Sequence, residues 1–167
     1  MPKHNTHSIH EYQGMHAEKM ALTQLSQGWD FWAASSLLPL LDASLPAAGG
    51  PAVYRCFYTQ AEDDSVSFQA VLCTQGLYEQ VDVLYLYTAP GQRGQGLALK
   101  LLQHLQRLLL STSAGQEPPS VHLEVRASNH AAICLYQKFG MQRSHIRRNY
   151  YQDGEDAWVF GKTLVLG

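Results

Sequence analysis

Cysteine is scarce in this sequence. Only Cys56, Cys73 and Cys134 occur in 167 residues, far apart and with no CxxC spacing. The odd count and a polar start, Met1 to His10, with no apolar core for a secretory signal, lead to an expectation of reduced thiols in a cytoplasmic protein. Each thiol is flanked by apolar or aromatic residues and reads as a small buried hydrophobe. Long apolar runs are also missing. Leu108-Leu109-Leu110 closes a helical pattern, and nothing approaches the roughly 20 residues of a membrane span. A charge excess is lacking too: the formal balance is -2, and Arg147-Arg148 is too small a basic cluster to alter it. That excludes a general attraction to nucleic acid or to an acidic membrane, so any partner must be selected by a site. His4, His7, His10 and His16 follow spacings of three and six without helical support, so residues 1–15 are expected to be a flexible polar extension with no metal.

What is present suits one globular domain, expected over residues 16–167. Apolar residues make up 46% and charged residues 16%, enough for a real core. Met15 to Leu25 suits a first helix ended by Gly28. Trp29 to Leu41 suits a second, interrupted by Pro39. After a Pro- and Gly-containing loop from Ser44 to Pro51 the period turns to alternation. Residues 52–58, 66–73 and 81–87 read as three strands joined by short antiparallel connections. Beyond Pro90 the period is helical again, with Ala98, Leu101, Leu102, Leu105, Leu108 and Leu109 on one stripe. Val121, Leu123 and Val125 then alternate with His122, Glu124 and Arg126 as a half-buried strand. Ser128 or Asn129 offers an N-cap for a helix ending at Gly140. His145 to Tyr151 and Trp158 to Val165 read as a closing hairpin around a turn at residues 152–155. The expected class is α/β (α+β), with a mixed, mostly antiparallel central sheet flanked by helices. One β-α-β unit (81–88, 95–110, 121–126) supplies its parallel pair.

Chemistry enters at the connection within that unit. In Pro90-Gly91-Gln92-Arg93-Gly94-Gln95-Gly96, glycines between a strand and a helix let the backbone turn and approach an anion. The helix start adds unpaired N–H groups and the positive end of its dipole. A phosphate or pyrophosphate is the natural guest, and a plain strand-to-helix turn is the alternative. No Lys-Ser or Lys-Thr follows for a P-loop, and Leu97-Ala98-Leu99 after Gly96 fails the GxGxxG dinucleotide pattern.

The run Arg93-Gly94-Gln95-Gly96-Leu97-Ala98 matches [QR]xxGx[GA], with Ala98 where glycine is frequent. It resembles the acetyl-CoA pyrophosphate loop of the GNAT acetyltransferase superfamily. The resemblance extends through Leu123 to Tyr136 (LEVRASNHAAICLY), Phe139-Gly140-Met141 and Ile146 to Tyr151 (IRRNYY), which are similar to the family's ribosomal-protein alanine N-acetyltransferases. It covers about the last half of the chain. It implies acetyl-CoA as co-substrate and an acceptor protein N-terminus, such as that of a ribosomal protein. It also implies a cofactor site at Leu86, Tyr87, Thr88, Arg93, Gly94, Gln95, Gly96, Leu97, Ala98 and Asn129, with strands splayed apart beside Leu86 to Thr88. Glu124 would be the general base and Tyr136 the general acid.

Acetyl transfer from a thioester needs a neutral amine and a protonated leaving thiol, which suits those two side chains. A solvent-facing strand glutamate and a core tyrosine with its hydroxyl at the rim are the plainer readings. Asn129 is equally an N-cap. Tyr150 and Tyr151, expected to alternate on a strand, offer one ring to the acceptor channel or simple cross-strand packing. Asp153-Gly154 reads as turn chemistry. Asp82, Glu155 and Asp156 read as solvated charge or as partners for a basic peptide. A small-molecule amine acceptor and a non-catalytic acetyl-CoA sensor are the competing functions.

Overall fold

The computed structural model of the chain describes residues 7–12, 54–61, 68–77, 79–113 and 117–165. The helices expected at 15–25 and 29–41 and the loop at 44–51 lie outside these residues. Three strands rich in aromatic and β-branched residues form an antiparallel meander: β2 (Tyr54–Ala61), β3 (Phe68–Leu77) and β4 (Gln80–Thr88). Helix α1 (Leu97–Thr112) leads to β5 (Ser120–Arg126), helix α2 (His130–Phe139), and the strands β6 (Gln142–Arg147) and β7 (Ala157–Thr163). With β1 (His7–Glu11), the sheet among the described residues has seven strands in the order β1-β2-β3-β4-β5-β7-β6, and β4–β5 is its parallel pair.

The strand at the far edge corrects one expectation. Residues 7–11 of the segment expected to be a flexible tail form β1 (His7–Glu11), antiparallel to β2. Tyr12 is buried beyond it, its N–H donating to the Cys56 carbonyl at 2.8 Å. Edge pairing to a neighbouring strand needs backbone groups more than an apolar pattern, so a polar strand of this kind has weak alternation to detect.

The leucine stripe of α1 explains the core. Leu97, Leu101, Leu102, Leu105 and Leu109 are buried against Phe57, Ala70, Leu72, Val81, Val121 and Leu123 on one sheet face, with Ile133 and Phe139 of α2. Each such burial stabilises by roughly 2 kcal/mol. The opposite face of β2 and β3 carries a second cluster of Tyr12, Cys56, Tyr58, Phe68, Val71 and Cys73. There Cys56 and Cys73, directly opposite in register, form a cross-strand disulfide, while Cys134 is free and exposed. The expectation of reduced thiols therefore fails for this pair. Strand register brings together two residues that sequence spacing sets 17 apart.

Two irregularities in β4 shape the space beside it. Its pairing with β3 skips Leu84, since Cys73 faces Tyr85 and Thr74 faces Val83. Such a bulge bends its strand, and Leu84 is left exposed. Pairing with β5 stops after Gln80–Ser120, Val81–Val121 and Asp82–His122. From Val83 to Thr88 the two strands part, which is the splay expected beside Leu86, Tyr87 and Thr88.

At the other end of β4 the hairpin depends on Gly76, whose φ of +128° L side chains rarely adopt. A Cβ there would lie 2.2 Å from the Gln80 carbonyl oxygen. Gly76→Ala is expected to destabilise the protein by about 3 kcal/mol, combining backbone strain with displacement of the turn. Urea denaturation checks this, with no loss of stability as the contrary result.

Candidate active site

The turn after β4 is built by proline and glycine. Pro90–Gln92 make one 3-10 turn, and Arg93 folds back so that its Nε donates to the Thr88 carbonyl at 3.2 Å. Gly94 and Gly96 both hold φ of +78°, and Gly96 is the N-cap of α1. A Cβ at either position would meet nothing within 4 Å. Glycine is needed here for the backbone angle, and the space beside it is open. The Lys100 N–H closes onto the Gly96 carbonyl at 3.0 Å, so the N–H groups of Leu97, Ala98 and Leu99 precede the first α-helical hydrogen bond. No acidic side chain occupies the first turn. This donor set fits a pyrophosphate, as the dipole at a helix start favours.

A cleft of about 620 Å³ runs from this turn between β4 and α2. Nine of the ten expected cofactor residues line it: Leu86, Tyr87, Thr88, Arg93, Gly94, Gly96, Leu97, Ala98 and Asn129. Gln95 does not; its amide is turned to Gln92, donating to Oε1 at 2.8 Å. The cleft also takes Gln92, Leu99 and a row from α2 that the sequence reading does not assign to the cofactor: Ala131, Ala132, Cys134, Leu135 and Lys138. Their signal was the small-residue start of α2, which leaves room beside a helix.

A second hollow, of about 250 Å³, opens beside Val83, Tyr85, Glu124, Arg126 and Tyr151. Leu86, Asn129 and Tyr136 line both spaces. Leu123 and Val125 are buried on the α1 side, so Glu124 between them points to the opposite face of β5. Beside the gap between β4 and β5, Leu86, Asn129 and Tyr136 thus form a joint bordered by one space on the helix side and one on the Glu124 side.

Tyr136 is 7% exposed, with its ring 6.1 Å from that of Phe160. Burial, aided by the neighbouring Tyr151 phenol, pushes its pKa up to about 12. The phenol therefore keeps its proton at neutral pH. The Glu124 side chain is one-third exposed and pairs with Arg147 (Oε1 to Nη2, 3.1 Å). Asn129 caps α2, its Oδ1 accepting from Ala132 N–H at 3.2 Å, while lining both spaces. Gly140 closes the helix at φ of +89°.

Tyr150 and Tyr151 depart from expectation. Strand β6 ends at Arg147, so both rings sit in the loop that leads to β7. Tyr151 lines the hollow; Tyr150 is exposed and does not. Gly154 N–H donates to the Tyr151 carbonyl at 2.8 Å, in keeping with turn chemistry at Asp153-Gly154. Glu155 and Asp156 are committed to Arg126 and Arg148, which gives them a role inside the loop. Among the described residues no group of three metal-ligating side chains occurs, and no helix is long and apolar enough to cross a membrane.

This geometry has counterparts. Residues 39–141 match the profile of the acetyltransferase (GNAT) family. The chain belongs to that family. The ribosomal protein bS18-alanine N-acetyltransferase of Escherichia coli (strain K12) is 40% identical over 100 residues, 58% of this chain and 65% of that protein. A Bacillus subtilis (strain 168) protein, provisionally given the same name, is 45% identical over 76 residues, 45% of this chain and 48% of its own. The chain thus spans about half to two thirds of the length of these curated relatives. The crystal structure of the Escherichia coli ribosomal-protein-S18-alanine N-acetyltransferase superposes with a TM-score of 0.72 at 25% identity, over 97% of this chain and 96% of that one. The mixed sheet expected from the sequence is the GNAT fold.

One consequence of the loop is measurable by pH. Hydrogen bonds from Ser128, then the Arg126 guanidinium, hold the Glu155 carboxyl down to about 2 from an ordinary 4.5. A depressed carboxylate stabilises the folded loop above its ordinary value, and that contribution is lost as pH falls through the folded value. Ser128 N–H donates to Glu155 Oε1 at 2.8 Å. Its amide-exchange protection is expected to decline between pH about 4.5 and about 2. In Glu155→Gln that decline should be absent from the window; an unchanged profile would contradict the assignment.

Proposed function

We propose that this GNAT-family chain transfers the acetyl group of acetyl-CoA to a protein N-terminal amine, by the names of its relatives the N-terminal alanine of a ribosomal protein. The observation that carries the reading is the joint at Leu86, Asn129 and Tyr136. These three residues border both an anion-cradling cleft and a hollow lined by a carboxylate. A thioester donor entering from the first space and an amine entering from the second meet there.

Acetyl-CoA supplies the activated carbonyl and a thiolate leaving group. The chain supplies binding and proton transfer. The N–H groups opening α1 hold the pyrophosphate, and the separated edge of β4 offers backbone groups to the pantetheine arm. Glu124 takes a proton from the incoming α-ammonium, directly or through one water, leaving a neutral nitrogen. As the C–N bond forms and the C–S bond breaks, the nitrogen sheds its second proton to solvent and Tyr136 gives its phenol proton to the departing sulfur; solvent then takes the proton held by Glu124 and restores the phenol. An α-amine has a pKa of about 8, so near neutrality about nine tenths of it is protonated and the base makes up that deficit. The guanidinium of Arg147 is the resting counter-ion of Glu124, and an arriving ammonium takes over that role.

The direct test is incubation of the protein with acetyl-CoA and a peptide that begins with alanine, read by mass spectrometry. One acetyl group on the peptide amine is expected. Acetylation of a polyamine with none on the peptide would refute the acceptor assignment, and no transfer despite CoA binding would refute catalysis. Tyr136→Phe is expected to lower kcat by about 100-fold with acetyl-CoA binding within about threefold. Glu124→Gln should lose most activity at neutral pH and regain part of it above about pH 8, where the amine is already neutral. A flat pH response in that variant would remove Glu124 as base.

A further inference from the structure

Arg126 closes β5 on the face that carries Glu124, and its guanidinium has three engagements. Nη1 donates to Asp153 Oδ2 at 2.8 Å and to Glu155 Oε2 at 2.7 Å. The guanidinium carbon lies 3.9 Å from the centroid of the Tyr151 ring. The carboxylate that Arg126 holds reaches further, since Glu155 Oε1 accepts the Ser128 N–H at 2.8 Å. Ala127 N–H donates to the Asp156 carbonyl at 3.1 Å, and Tyr151 N–H to that of Glu155 at 3.1 Å. The loop between β6 and β7 is thereby fastened to the turn between β5 and α2, at the point where Asn129 starts the helix that carries Tyr136.

Isolated exposed ion pairs contribute little to stability, and Arg126 with its partners is partly or largely exposed. A planar cation stacked on one ring and forked to two carboxylates instead fixes direction. The ring it fixes is the loop's wall of the hollow beside Glu124. Without the guanidinium, Asp153 and Glu155 would face each other uncompensated, and Tyr151 would lose the surface on which it lies.

We propose that Arg126 is the positioning residue of the acceptor half-site, holding the Tyr151 ring as the wall against which the substrate amine is placed beside Glu124. Its side chain lines the hollow and is not among the residues that line the donor cleft. The proposal rests on the acceptor reading above for its kinetic form only; the hold on Tyr151 is a statement about the free protein.

Two measurements test it, and they fail separately. In the free protein, Arg126→Ala is expected to shift the Tyr151 ring resonances toward those of a mobile, solvent-exposed tyrosine, with thermal unfolding little changed and Arg126→Lys in between. Unmoved Tyr151 signals overturn the proposal whatever the enzyme acetylates. In the kinetic arm, with any acceptor amine that the wild type uses, Arg126→Ala should raise the acceptor KM about tenfold and leave the acetyl-CoA KM within twofold. Tyr151→Ala should do the same, and the double variant should be no worse than either single one. Additive effects, or equal increases in both KM values, would make Arg126 a general structural residue and overturn the proposal. A wild type that acetylates nothing refutes the proposed function and leaves the resonance experiment to decide the hold.

Discussion

The parting of β4 from β5 is the constraint on which the site depends. A continuous sheet would satisfy the backbone of both strands and leave no passage between its faces. Pairing ends after three residues, and the groups freed along β4 are available only because a ligand or water can take them. Every other feature of the site answers to that gap. The glycine turn places helix N–H groups at one end of it, α2 lays a small-residue face along it, and Tyr136 borders the spaces on both sides.

The two halves of the site are held by different physics. On the donor side the ordering comes from burial: the leucines of α1 and the apolar face of α2 pack on the sheet and place the loop between them. On the Glu124 side the loop between β6 and β7 has few buried residues, and charge-assisted hydrogen bonds among Arg126, Arg148, Asp153, Glu155 and Asp156 define it. Packing is insensitive to pH and salt by comparison. That loop is therefore the part of the site that solution conditions can loosen first.

Much of this is legible in the sequence. The leucine period of α1, the Asn129 and Gly140 caps of α2 and the glycine turn are local signals, each carried by side chains within one or two turns of chain. The features that escape a sequence reading are set by pairing across the sheet. The Cys56–Cys73 bond depends on the β2–β3 register, and β1 on an edge that polar residues can fill. Tyr150 and Tyr151 look like strand residues because aromatics favour strands; ion pairs to Arg126 and Arg148 end β6 earlier and turn both rings into a loop. Gln95 stands at an open position of the motif and faces its neighbour Gln92, since the pattern specifies no side chain there.

The extra residue at Leu84 has a further effect on the pleat. Val81 and Val83 face α1, and uninterrupted alternation would send Tyr85 and Tyr87 the same way. Because β4 counts one residue twice against β3, the phase reverses: Leu86 packs with the α1 cluster, and the two tyrosines stack 6.4 Å apart over the opposite cluster. A single residue out of step therefore sorts the aliphatic from the aromatic side chains of one strand. It turns both rings away from the α1 cluster, so that Leu86 and the edge of Tyr87 border the cleft while Tyr85 faces the hollow beside Glu124.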